Sequence, residues 1–233
     1  MIIAGPCLFT DMSESGMIHD TAHMLKKIGV EWFRCKLWGG GTTPDKYFPG
    51  VGDDGLKLMK RISEIMPVCT EVQTPEHIRY CAPVMDMVWV GARNSSNYAL
   101  RKSARESGIP FAIKRAANMP VELVYGMFDI EKPHYIIERG IDNIFARPES
   151  RFMPDLKGVM QIKNERPDIF DKLIVDCSHS VFRKDMVADT YRAFKSIGVN
   201  HFMFECTLDG NSKTDKSHML SVKELTEILE ESK

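Results

Sequence analysis

Eight short apolar runs rich in β-branched and aromatic residues recur along the whole chain, at residues 2–7, 32–38, 67–72, 87–91, 110–115, 135–139, 173–178 and 201–206. Between them lie stretches with helical apolar spacing, at 16–28, 55–65, 97–107, 119–128, 155–164, 184–197 and 218–230. A strand covered on both faces reads as a continuous apolar run, the signature of a parallel sheet under helices. Eight strand–helix alternations in 233 residues are the count and length that a closed (β/α)8 TIM barrel demands. A doubly wound open sheet is the rival architecture with the same local pattern. No internal repeat, linker or low-complexity stretch divides the chain, so residues 1–233 are expected to form one barrel domain without a regulatory extension.

Composition narrows the classes of function. Lys plus Arg number 31 against Asp plus Glu 32, a net charge of -1, which argues against a nucleic-acid groove held by bulk positive potential but leaves room for a local basic pocket. No apolar run reaches the ~20 residues of a membrane span, and the first residues lack the basic flank and cleavage site of a secretory leader. The chain therefore reads as cytoplasmic. In that compartment Cys7, Cys35, Cys69, Cys81, Cys177 and Cys206 are thiols or metal ligands rather than a disulfide framework.

In a barrel the chemistry belongs at the C-terminal ends of the strands. Nearly every apolar run ends there in an ionisable or metal-binding residue that its hydrophobic body would not carry cheaply. Two groups emerge. Cys7, His179, Glu205 and Asp215 come from the ends of runs 1, 7 and 8 and the loop after run 8. Barrel closure makes run 1 the neighbour of run 8, so residues about 200 apart can converge. Sulfur, imidazole and two carboxylates suit one divalent ion, Mn, Fe, Co or Zn. The structural alternative makes Cys7 a buried hydrophobe, His179 a helix-end residue and Glu205 the partner of a strand-end Arg.

The second group is Arg34, Lys36, Arg93, Lys114 and Arg139, from runs 2, 4, 5 and 6. Period-two alternation sets Arg34 and Lys36 on one face and separates Lys114 from Arg115, and Arg139 from Glu138. Cations gathered at one mouth repel unless an anion sits among them, and a small molecule with phosphate and carboxylate fits Arg forks and a Lys point charge. Ion pairing is the plainer account, applied most readily to Arg115 and available to Arg139 through Glu138 or Glu71.

Ala4-Gly5-Pro6-Cys7, Thr70-Glu71-Val72, Gly91-Ala92-Arg93-Asn94, Ile113-Lys114-Arg115, Glu138-Arg139-Gly140, Val175-Asp176-Cys177-Ser178-His179 and Glu205 followed by Asp215 stand in this order over nearly the whole chain. Together they resemble the type I 3-deoxy-D-arabino-heptulosonate 7-phosphate (DAHP) synthases and the related 3-deoxy-D-manno-octulosonate 8-phosphate synthases. The resemblance implies a (β/α)8 barrel and the shikimate-pathway reaction of aromatic amino acid biosynthesis. In that reaction phosphoenolpyruvate condenses with an aldose phosphate to give a 3-deoxy-2-ketoulosonate phosphate and inorganic phosphate. It implies Cys7, His179, Glu205 and Asp215 as ligands of one divalent metal, and Arg93, Lys114 and Arg139 as the grip on phosphoenolpyruvate with Arg34 at its carboxylate end. Lys114 as proton donor or relay, His179, and Asp176 as a group orienting the aldehyde complete the expected catalytic set. A homo-oligomer, dimer or tetramer, is expected on the same ground.

One stretch departs from the pattern. After run 2 the heptulosonate synthases carry Lys-Pro-Arg-Thr, whose Lys touches phosphoenolpyruvate and whose Arg and Thr bind the acceptor phosphate. Here the stretch reads Trp38-Gly39-Gly40-Gly41-Thr42-Thr43-Pro44-Asp45-Lys46. Lys36 is the candidate replacement for the cation, and the glycines are either phosphate-facing backbone or a flexible loop. Three expectations follow: an erythrose 4-phosphate enzyme with a rebuilt phosphate loop, a synthase using another aldehyde, or a non-catalytic binding subunit on the same barrel.

Overall fold

The computed structural model describes residues 1–39, 48–143 and 152–231. All eight apolar runs contain a strand of one parallel sheet: β1 (Ile2–Gly5), β2 (Trp32–Arg34), β3 (Val68–Val72), β4 (Met87–Val90), β5 (Phe111–Lys114), β6 (Tyr135–Glu138), β7 (Leu173–Asp176) and β8 (His201–Thr207). They pair in sequence order, and β8 pairs with β1 from Ile2↔Phe202 to Gly5↔Glu205, which closes the barrel. The open-sheet alternative is thereby set aside.

Among the described residues, eight helices of seven residues or more surround it: α1 (Ser15–Lys27), α2 (Asp54–Ser63), α3 (Pro75–Cys81), α4 (Tyr98–Glu106), α5 (Val121–Glu131), α6 (Leu156–Glu165), α7 (Val187–Ser196) and α8 (Val222–Glu230). Their starts are written in the sequence. Asn97 accepts from the Leu100 N–H, and Ser221 with Glu224 forms a reciprocal capping box. The helical spacing points to seven helices and does not mark α3, which has only seven residues. Its signal is the cap: Thr74 accepts from the His77 N–H and Pro75 takes the first turn. The run 32–38 yields only three strand residues before the chain turns away, keeping a single parallel bridge between Leu8 and Lys36.

The sheet separates two apolar cores. Outward residues such as Phe33, Val88, Ile136 and Phe204 pack with helix residues such as Leu25 and Phe194, while Ile3, Cys69, Trp89, Ile137, Ile174 and Met203 fill the barrel. The backbones of β1 and β2 approach so closely that a Cβ on Gly5 would sit 2.1 Å from the Arg34 carbonyl oxygen, so only glycine fits. All six cysteines are free and buried; Cys35 joins the outer core, on the opposite side of the sheet from Cys7. Among the described residues no helix is long and apolar enough to cross a membrane.

Candidate active site and metal centre

Period-two alternation fixes what reaches the barrel mouth. One pleat beyond the inward apolar residues Cys69, Ala112, Ile174 and Met203, the same strands carry Glu71, Lys114, Asp176 and Glu205. The same step leads from Ile3 through Gly5 to Cys7, from Trp32 through Arg34 to Lys36, and from Ile137 to Arg139. Apolar filling below and charge above is the section through this barrel.

Cys7, His179, Glu205 and Asp215 meet as expected: one ligand atom from each lies within 4.8 Å of all the others. Cys7 follows β1, Glu205 sits in β8, and His179 occupies a five-residue helix after β7 (Cys177–Val181), whose first turn is capped by Asp176. Asp215 adopts a left-handed backbone, φ 53°, in the loop after β8, a conformation that Asp tolerates better than most residues and that clusters at functional sites. His179 Nε2 is 3.3 Å from Glu205 Oε1.

The donor set fits a divalent ion on its own chemistry. Both Glu205 oxygens are buried and make no well-directed hydrogen bond, although Arg34 Nη1 stands 3.2 Å from Oε1 and His218 Nε2 2.9 Å from Oε2. Burial drives the Cys7 thiol well above its usual range, with Glu205 adding to the rise. Burial also lowers His179 to about 4, against the pull of Asp176 and Glu205, so its imidazole is neutral at pH 7 and offers a lone pair. Burial works to raise the Glu205 carboxyl, yet His179 and Arg34 hold it well below the carboxylate range. A thiol that ionises on coordination, a neutral imidazole and carboxylates are the ligand states a metal requires.

Asp176 lies behind the imidazole. Its Oδ2 accepts from Lys114 Nζ and is 2.8 Å from His179 Nδ1, while Oδ1 accepts from the His179 backbone N–H at 3.0 Å. The carboxylate is completely buried. Burial acts to raise it, and His179 and Lys114 outweigh burial to hold it well below its ordinary value. Lys114 in turn is lowered by burial, which Asp176 opposes and Arg139 and Arg34 reinforce. A carboxylate on one ring nitrogen fixes the tautomer and leaves the other as a lone-pair donor. The sequence points to Asp176 as an aldehyde-orienting group, and in the structure its carboxylate meets Lys114 and His179.

The other cations divide. Arg34 is almost fully buried beside the Cys7 cluster, donating to the Cys7 carbonyl at 3.1 Å and facing Glu205. Lys36 is half-buried; burial would lower it, but Cys7, Glu71 and Glu205 raise it. Arg139 is buried with its guanidinium 3.9 Å above the Phe152 ring and 5.8 Å from Phe182. Arg93 is exposed on a 3-10 turn (Ala92–Asn94) after β4. Arg115 is ion-paired, bonding Glu138 and Asp155, each at 2.7 Å. The stretch at 40–46 lies outside the described residues; of that run only Trp38 and Gly39 belong to them.

Two residues at the mouth were not singled out as site residues from sequence. Glu71 accepts from Trp89 Nε1 at 3.3 Å and lies so close over Gly91 that a Cβ there would sit 2.3 Å from its Oε1. Its inward parity on β3 was the available signal. His218 had none, because it lies in a loop without periodicity.

The model of the DAHP synthetase I family matches residues 1–233. The chain belongs to the DAHP synthetase I family. A curated relative, the phospho-2-dehydro-3-deoxyheptonate aldolase of Thermotoga maritima, is 28% identical over 211 residues, which cover 88% of this chain and 60% of the relative. A crystal structure of the phospho-2-dehydro-3-deoxyheptonate aldolase (DAHP synthase) from the same organism superposes with a TM-score of 0.88 at 27% identity, covering all of this chain and 68% of that one. A truncated form of the 3-deoxy-D-arabino-heptulosonate 7-phosphate synthase from Thermotoga maritima gives 0.84 at 25% identity, covering 84% of its chain. The chain thus spans less than two thirds of the length of its curated relative.

Proposed function

We propose that this chain is a transferase that condenses phosphoenolpyruvate with an aldose phosphate, erythrose 4-phosphate first, giving a 3-deoxy-2-ketoulosonate phosphate and inorganic phosphate in the presence of one divalent metal. The observation that supports it most is that four ligand atoms fall within 4.8 Å of one another at the same strand ends that carry Lys114 and Arg139. Cys7, His179, Glu205 and Asp215 would hold the ion, which when bound would supply Lewis acidity toward a carbonyl oxygen.

The chain's own groups do the rest. Arg139, kept flat by the Phe152 ring, and Lys114 hold the phosphate and carboxylate of phosphoenolpyruvate so that its C3 faces the aldehyde carbon. Arg93 closes on the phosphate from the solvent side. As the C–C bond forms, the aldehyde oxygen takes one proton, and Lys114 is the donor within reach of the site. Water adds to C2, and the C2 hydroxyl collapses to the ketone as the C–O bond to phosphate breaks. The water oxygen ends in the ketone; its two protons balance the new hydroxyl and the departing phosphate. Lys36, whose charge Cys7, Glu71 and Glu205 favour against burial, takes the role of the missing loop lysine.

A different aldehyde is the second reading, because the Lys-Pro-Arg-Thr acceptor motif is replaced by Trp38-Gly39-Gly40-Gly41. Phosphate release from phosphoenolpyruvate, measured with Mn2+ across a panel of aldoses, decides. Release with erythrose 4-phosphate upholds the first reading, and release only with another sugar transfers it to the second. Silence with every aldehyde, together with no bound metal on elemental analysis, leaves a binding subunit. The same proposal includes a homo-oligomer, and light scattering at the mass of a single chain would remove that part.

A further inference from the structure

We propose that His218 is a positioning residue for the metal centre: it holds Glu205 by one oxygen so that the other is presented to the ion. The inference rests on the metal reading of the Cys7 cluster. His218 is fully buried, and its Nε2 lies 2.9 Å from Glu205 Oε2. It is not one of the four residues whose ligand atoms crowd within 4.8 Å, so it stands behind the carboxylate rather than in the ligand set.

The asymmetry of the Glu205 contacts gives His218 its role. Oε1 faces His179 Nε2 at 3.3 Å and Arg34 Nη1 at 3.2 Å, whereas Oε2 faces His218. The terminal torsion of a glutamate is broad and nearly two-fold. Without a partner on Oε2, the carboxylate is free to turn both oxygens toward the Arg34 guanidinium beneath it, away from Cys7 and Asp215. The His218 ring nitrogen at 2.9 Å from Oε2 restricts that turn.

The imidazole is itself held on every side. Its Nδ1 is 3.2 Å from Ser217 Oγ, its ring meets Phe182 edge-on at 4.6 Å, and it lies 5.4 Å from the His179 ring. Its backbone N–H donates to the Asp215 carbonyl at 3.3 Å, closing the turn that gives Asp215 its left-handed backbone. The Ser217 carbonyl in the same turn accepts from the Lys184 N–H at 2.9 Å. One loop therefore delivers a ligand, Asp215, and the group that orients a second ligand, Glu205. Burying an imidazole is costly unless its polar atoms are used: Nδ1 meets Ser217 Oγ, and Nε2, which makes no well-directed hydrogen bond, has Glu205 Oε2 as its polar neighbour.

The test is divalent-ion affinity of the chelator-stripped full chain, by titration with Mn2+ followed by electron paramagnetic resonance and with Co2+ followed by its visible spectrum. His218→Leu should weaken Mn2+ by about 10- to 100-fold, the usual cost of losing an outer partner of a ligand, and should shift the Co2+ bands. His218→Gln, whose amide nitrogen reaches close to the position of Nε2, should recover affinity to within about threefold, which a merely space-filling role would not produce. Equal Mn2+ affinity and an unchanged Co2+ spectrum in a folded His218→Leu chain would overturn the proposal while leaving the metal site intact. If His218→Leu does not fold, His218→Asn, too short to reach Glu205, replaces it: tenfold weaker binding supports the role and wild-type binding refutes it. A wild-type chain that takes up neither ion fails at the earlier step, removing the metal reading and this inference together.

Discussion

Replacing Asp176 by Asn removes a charge while keeping the shape, and the geometry fixes what that costs. Oδ2 serves two donors, Lys114 Nζ and His179 Nδ1, in a place with no exposure to water. If the amide oxygen stays on the His179 backbone N–H, the new NH2 group points at two other donors. Two hydrogen bonds to an ionised carboxylate, worth about 1.5–3 kcal/mol each, are lost, and Lys114 is left charged and buried. Breaking a buried pair from one side costs about 3–5 kcal/mol, which falls within the about 3–6 kcal/mol that the two bonds give. Guanidinium unfolding of the metal-free chain at pH 7 should show this loss, and Mn2+ affinity should fall about 10- to 100-fold because His179 is no longer held with Nε2 outward. The sign with pH is set by the depressed carboxyl of Asp176. Its contribution is complete above its unfolded pKa of about 4 and disappears as pH falls below that toward the folded value, so the gap between the two chains must narrow in acid. A variant within about 1 kcal/mol of wild type at pH 7, with Mn2+ affinity unchanged, would refute this account of Asp176.

Four further outcomes follow. Cys7→Ala and His179→Ala should each abolish metal-dependent phosphate release, and a chelator-washed Cys7→Ala chain with full activity would end the metal hypothesis. Because the Cys7 thiol is raised and His179 is already neutral at pH 7, uptake of one divalent ion should release about one proton, measurable by calorimetry in buffers of different ionisation enthalpy; release near zero contradicts the thiol assignment. Gly91→Ala puts a methyl group 2.3 Å from Glu71 Oε1 and should disturb phosphoenolpyruvate turnover through a displaced carboxylate; wild-type kinetics would show that Glu71 has room to move. Glu131 is fully buried between Arg101 and Arg105, at 3.0 and 2.9 Å, and Glu131→Ala should cost about 3–5 kcal/mol in unfolding experiments with no change in metal affinity.

The barrel was readable because each strand had to be apolar on both faces, and that requirement leaves continuous runs in the sequence whatever the loops do. The mouth was readable for a related reason: the inward parity of each strand persists past its last hydrogen bond, so a charged residue two places beyond an inward apolar one must enter the barrel top. Lys114 after Ala112, Glu205 after Met203 and Cys7 two places beyond Gly5 obey this rule, and the cluster of Cys7, His179, Glu205 and Asp215 contains two of them. Glu71 after Cys69 obeys it equally, and was missed as a site residue only because it was weighed as a salt-bridge partner.

What parity does not encode is which mouth residues touch each other. Asp176 and Lys114 lie on strands separated by β6, and their bond depends on barrel curvature rather than on any local spacing. Yet the partner of His179 was half-visible: an Asp three residues ahead of a His at a strand-to-helix turn caps that turn, and capping brings the carboxylate to the imidazole as well. His218 stands at the far limit of legibility. It follows no period, it lies in a loop, and its partner Glu205 is on the strand before it, so only the folded turn from Asp215 to His218 brings it there. The residues that tune a metal centre from behind its ligands are those whose positions a sequence pattern constrains least, because a loop is free to supply the same donor from several points along its length.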